Sequence, residues 1–110
     1  MDSVQIETSR QIDVKGTSKR GTIGASYSQI VGRFGKPNIK KPNNDTFNEW
    51  RIRFEVPAED DPEETDYVIA TIYDWGEEHD PAMEADRRVT FNIGGFNVDA
   101  PYFVHLVLGQ

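Results

Sequence analysis

The sequence predicts an α+β domain: a small, mainly antiparallel sheet of three to five strands with two helices packed on one face. Three observations carry this expectation. Trp50, Ile52, Phe54 and Val56 alternate with Arg51, Arg53 and Glu55, the period-2 signature of a strand with one wet face. Ser26 and Gln29 stand three residues apart ahead of Ile30, Val31 and Phe34, a capping box opening an amphipathic helix. Near the C-terminus, Phe103, Val104, Leu106, Val107 and Leu108 form an apolar helical run, with Pro101 in its first turn and Gly109 after it.

The elements follow in order. Residues 1–15 are expected to be an N-terminal arm or an edge strand, because Val4 and Ile6, then Ile12 and Val14, alternate only loosely. Residues 16–110 then form the single α+β domain. Gly16 and Gly21 bracket the polar run Thr17-Ser18-Lys19-Arg20, which reads as a turn or functional loop. The first helix spans Tyr27–Phe34, stopped by Gly35 and Pro37. Residues 38–46 have loop composition. The strand at Trp50–Val56 closes at Pro57, and an acidic connector, Ala58–Asp66, leads into a central strand, Tyr67–Trp75, rich in β-branched and aromatic residues. After a second acidic loop, Arg88–Ile93 forms another strand, with Val89, Phe91 and Ile93 on one face, and Gly94-Gly95 breaks it. The last helix begins near Asp99 as N-cap and should lie deep against the sheet or in a subunit interface.

A length of 110 residues suits one domain, and six Phe, four Tyr and two Trp supply the bulk of its core. The absence of cysteine excludes a disulfide framework, a thiolate zinc site and a cysteine nucleophile. The polar opening Met1-Asp2-Ser3-Val4-Gln5 is unlike a signal peptide, and no apolar run approaches the roughly 20 residues of a membrane span, so a soluble, intracellular protein with no membrane partner is expected. The net charge of −7 is unevenly spread. Residues 1–42 hold eight Lys or Arg against three acids, whereas residues 43–110 hold four Arg against sixteen acids. Such a chain is suited to a basic partner or to pairing with itself as a homodimer.

Catalytic and metal chemistry find little support. Asp74, Glu77, Glu78, His79 and Asp80 match no metal-ligand spacing, and neither His79 nor His105 accompanies a nucleophile elbow. A non-catalytic protein with no cofactor and no metal is expected. Two surfaces remain. The first is an acidic, partner-binding face of Asp60, Asp61, Glu63, Glu64 and Asp66, joined by Asp74, Glu77 and Glu78, whose carboxylates could imitate a row of phosphates. The second is an anion or ligand site of Thr17, Ser18, Lys19 and Arg20 with Tyr73, Trp75, Asn92, Gly94 and Gly95. There, hydroxyls, cations and backbone N–H groups freed by glycine, at a strand-to-helix turn, could hold a phosphate. A pI near 4.7 argues against direct nucleic-acid binding. Trp50, Trp75, Tyr73 and Phe96 could stack on a base or sugar, but aromatics at strand spacing read more readily as core.

Gly16-Thr17-Ser18, Phe34-Gly35-Lys36-Pro37, Trp50 with Phe54, the run Ala70-Thr71-Ile72-Tyr73-Asp74-Trp75, and Asn92-Ile93-Gly94-Gly95 together resemble a group of small, functionally uncharacterised tailed-bacteriophage proteins. The resemblance spans roughly residues 16–96, with one departure: Asn92 stands where a histidine is expected ahead of Ile-Gly-Gly. It implies a viral protein working in the host cytoplasm and transfers no activity. The expected function is that of a phage accessory protein that binds and inhibits or sequesters a host defence component, a protein engaged through the acidic face. The alternatives are a sponge for a small nucleotide signal and a self-associating phage structural or assembly protein.

Overall fold

The computed structural model describes residues 4–43, 46–74 and 87–109. Within them six strands and two helices run in the order β1 (Gln5–Thr8), β2 (Ser18–Ser26), α1 (Tyr27–Phe34), β3 (Ile39–Asn43), β4 (Thr46–Pro57), β5 (Thr65–Tyr73), β6 (Arg88–Gly95) and α2 (Asp99–Val107). The strands form one sheet in the order β1-β4-β5-β6-β2, every pairing antiparallel, with β3 also paired to β4. The fold is α+β, as the sequence predicts.

β4 is the spine, and the alternation that announced it now has a physical meaning. Trp50, Ile52 and Phe54 are fully buried on one face, beside Ala70 and Ile72 of β5, Phe91 and Ile93 of β6, and Ile23 and Ala25 of β2. Ile30 and Phe34 of α1 and Ala100 and Val104 of α2 close this core. The Phe54 ring meets Phe34 of α1 at 6.2 Å and Phe103 of α2 at 5.7 Å, so both helices lie on the same face of the sheet. The Trp50 ring meets Phe91 edge-on at 5.9 Å, and its indole N–H donates to the Gly35 carbonyl at 2.8 Å, which satisfies its one polar atom. Trp50 is thus core and no part of a stacking platform.

α1 forms where its caps dictate. Ser26 Oγ accepts the Gln29 N–H at 3.1 Å while Gln29 Oε1 accepts the Ser26 N–H at 2.9 Å. At the other end Gly35 adopts φ +82°, and its N–H returns to the Val31 carbonyl at 2.8 Å.

Four sequence expectations are corrected. The stretch read as loop contains β3, Ile39–Asn43, and the first residue of β4, Thr46. β3 is an edge strand and so tolerates Pro42, and the Asn38 amide extends its ladder, exchanging two 3.1 Å hydrogen bonds with the Arg51 backbone. The polar run at 17–22 is likewise mostly strand. Lys19 and Arg20 lie in β2 at the other edge of the sheet, where charged side chains blunt edge-to-edge pairing, and a bulge falls between Lys19 and Gly21. Gly94 and Gly95 do not break β6. They pair with Lys19 and Ser18 on one side and with Thr71 and Ala70 on the other. Finally, Asp99 is the first residue of α2 rather than its cap, and the Asn97 side chain accepts the Asp99 N–H at 2.9 Å.

The sheet face away from the helices is partly covered by residues 9–17. Arg51 Nη1 donates to the carbonyls of Arg10 and Ile12 at 3.4 Å each, and the Ser9 N–H donates to the Arg51 carbonyl. Ile12 is buried beneath this strap. Among the described residues no helix is long and apolar enough to cross a membrane.

Candidate functional site

Two places in the fold carry the residues singled out from sequence, and they sit at opposite ends of the β4–β5 hairpin. The tip is the connection from Pro57 to Thr65. Its turn is closed by the Glu64 N–H on the Asp61 carbonyl at 3.0 Å, its mouth by the Ala58 N–H on the Glu64 carbonyl at 2.9 Å, and the Asp61 carboxylate accepts the Glu63 N–H at 3.1 Å. Pro62 pre-sets the backbone of this turn, and buried Ala58 anchors it to the domain. The tip is therefore a built loop, and it presents Glu59, Asp60, Asp61, Glu63 and Glu64, with Asp66 beside it at the start of β5, all six exposed. None of these six pairs with a cation among the described residues. Nor does any group of three or more described acids and histidines converge on a point that could hold a metal ion.

Asp74 does not belong to that face. It is 2 % exposed, and its Oδ2 accepts both the backbone N–H and the Nδ2–H of fully buried Asn48, each at 3.1 Å. Lys40 Nζ donates to Asn48 Oδ1. The expectation failed because the partner that draws Asp74 inward lies 26 residues away. Glu77 and Glu78 lie outside the described residues.

The second place is a cleft of about 200 Å³ where the strap meets the start of the sheet. Of the residues expected to bind an anion, Thr17, Ser18, Tyr73 and Gly94 line it. Lys19, Arg20, Asn92 and Gly95 do not; Arg20 Nε instead donates to the Gly95 carbonyl at 3.1 Å, and Asn92 stands beside Tyr73 in the β5–β6 register. Trp75 lies outside the described residues. The two glycines have packing reasons. A Cβ on Gly94 would fall 2.4 Å from Thr71 Oγ1, and one on Gly95 would fall 2.3 Å from the Ala100 Cβ of α2. They let a side chain and a helix approach the strand.

Four lining residues escaped the sequence reading: Val14, Thr46, Glu49 and Thr71. A signal existed for Thr71, two residues before Tyr73 and so on the same strand face, and for Glu49, which continues the alternation of Arg51 and Arg53 toward the N-terminus. Thr46 carried none, because it fell in the stretch read as a loop. Glu49 Oε2 is paired with Arg51 Nε at 2.9 Å. Burial, and then the Glu49 carboxylate, push the Tyr73 phenol above its ordinary pKa of 10.0, so its hydroxyl stays a neutral donor. At the back of α2, His105 Nε2–H donates to the Thr22 carbonyl at 2.8 Å. No protein-family model, no curated protein and no solved structure matches this chain.

Proposed function

We propose that this protein acts by binding rather than by catalysis, and that it engages a basic surface of another protein with the acidic tip of the β4–β5 hairpin. The observation that carries the reading is the tip itself: five exposed carboxylates on a loop whose backbone is already hydrogen-bonded in place, with exposed Asp66 beside them on β5. A preformed loop loses little conformational entropy on docking, and a dense single-sign patch steers a basic partner and makes binding salt-dependent. In the setting implied by the resemblance to tailed-phage proteins, the partner is a host defence protein whose nucleic-acid-binding surface the tip occupies. The nucleotide-sponge alternative draws less support, since the cleft is lined by a carboxylate and by neither Lys19 nor Arg20.

The test compares the wild type with the variant Asp60→Asn, Asp61→Asn, Glu63→Gln, Glu64→Gln, Asp66→Asn as baits in host lysate. The expected result is a protein retained by the wild type at low salt, released as salt rises, and bound at least about tenfold more weakly by the neutralised bait. A partner held equally by both baits, or no protein preferring the wild type, would overturn the proposal.

A further inference from the structure

The cleft is a site of its own, at the far end of the hairpin from the acidic tip. Glu49 and Tyr73 are paired in the ladder, as are Pro57 and Thr65, and eight steps separate the two pairs, about 26 Å at roughly 3.3 Å per residue. Its walls are rich in hydroxyls. Thr17 Oγ1 donates to the Val14 carbonyl at 2.7 Å and so keeps its lone pairs for an incoming donor. Thr46 and Thr71 are only 2 % and 4 % exposed, line the cleft, and have no side-chain hydrogen bond to any described residue. A hydroxyl sunk this far into a fold ordinarily finds a partner. Neither hydroxyl is a fully buried polar atom left unpaired, so both open onto the cleft, where a ligand can supply that partner.

We propose that this cleft binds a single neutral sugar ring through its vicinal hydroxyls. Charge selects against the alternatives. Glu49 is paired with Arg51, so the cleft carries little net charge with which to hold either an anion or a cation. A polyol suits what remains: a carboxylate oxygen that accepts, Thr and Ser hydroxyls that both accept and donate, and a Tyr73 phenol that donates. Val14 and the Tyr73 ring offer the apolar surface on which the C–H face of a sugar rests. At about 200 Å³ the cleft falls below the roughly 300–1,000 Å³ of sites that enclose larger ligands, so it takes one ring and not a whole nucleotide. The ring can come from a glycan or from the ribose of a nucleoside; the recognition chemistry is shared.

The experiment titrates ¹⁵N-labelled full-length protein with methyl pyranosides, with nucleosides, and with inorganic phosphate. Saturable shifts at the amides of Thr17, Ser18, Thr71, Tyr73 and Gly94 are expected with a sugar-bearing ligand and not with phosphate. Response to pyranosides alone identifies a glycan, and response to nucleosides alone identifies ribose. The double variant Thr46→Val, Thr71→Val should keep the wild-type melting temperature, because no hydrogen bond to a described residue is lost, yet bind about tenfold more weakly. Tyr73→Phe, which deletes one hydroxyl, gives a second reading of the same loss should the double variant fold poorly. The proposal is overturned if no sugar gives saturable shifts, if phosphate gives the stronger ones, or if affinity survives in both variants.

Discussion

The two adjacent glycines of β6 offer the sharpest test of how this fold is held. A Cβ at position 95 would lie 2.3 Å from the Ala100 Cβ and 3.2 Å from the Ile69 carbonyl oxygen. Carbon atoms in contact sit about 3.5–4.0 Å apart, so Gly95→Ala leaves a deficit of more than about 1 Å against a helix. Neither neighbour has a torsion that can swing away, since one is the methyl of an alanine and the other is backbone. Helix α2 must therefore lift from the sheet, loosening Val104 as well as Ala100, both of which are fully buried. Overpacking of this kind costs about 1–3 kcal/mol, and the upper half of that range is expected here. For a domain of this size the melting temperature should fall by roughly 10–15 °C.

The assay is thermal and urea unfolding of four proteins: wild type, Gly95→Ala, Ala100→Gly and the double variant. Ala100→Gly alone should cost about 1 kcal/mol, from glycine in a helix and the loss of a buried methyl. In the double variant the clash is gone, so the two costs should fall short of their sum by about 1–2 kcal/mol. A Gly95→Ala protein that melts with the wild type would refute the packing account and return these glycines to a role in ligand approach. Strict additivity of the two substitutions would refute the named contact.

Three other outcomes are expected. Ser26→Ala removes the acceptor of the Gln29 N–H and should cost about 1 kcal/mol, with faster amide exchange confined to the first turn of α1. Asn48→Ala takes a donor from buried Asp74 and should lower the urea-extrapolated stability by about 2 kcal/mol; a loss below about 0.5 kcal/mol would mean that Asp74 is not held as described. Because the folded-state pKa of Tyr73 is raised, the unfolded chain gives up this proton first. Stability is therefore unaffected below about pH 10 and falls as pH climbs toward the folded value. Tyr73→Phe should flatten that alkaline fall in urea midpoints, and an identical slope in both proteins would assign the titration elsewhere.

What could be read from the sequence was whatever local chemistry determines. Ser26, Gln29 and Gly35 fix α1 at both ends, and β4 declares itself because its wet face is charged and its dry face is Trp, Ile and Phe. β3 and the start of β2 were hidden because both are edge strands, where Pro42, Lys19 and Arg20 are tolerated and the ladder is supplied by the neighbour. Gly94-Gly95 was misread because glycine weakens a strand by itself, and only Thr71 and Ala100, distant in sequence, supply the compensating close packing. The cleft was half visible for a related reason. Polar and glycine residues on one run stood out, whereas Thr46, in a stretch read as loop, entered only through a pairing register.

The same logic explains what becomes of the charge asymmetry. In sequence it looks like a basic third followed by an acidic remainder, but the fold interleaves them. β1 and β3 both lie along one edge of β4, bringing Glu7 to Arg53 and Lys40 to Asn48, while the strap is tied down by Arg51, itself paired with Glu49. Arg53 also reaches Glu55 and lies over the exposed ring of Tyr67. Cations along the body of β4 are thus spent locally, and the ladder ends at Pro57 opposite Thr65, with Asp66 in its last rungs and Glu59 to Glu64 beyond it. Among the described residues nothing cationic follows those carboxylates onto the tip, so the acidity of the described residues is concentrated there by topology, a consequence of where the pairing strands stop.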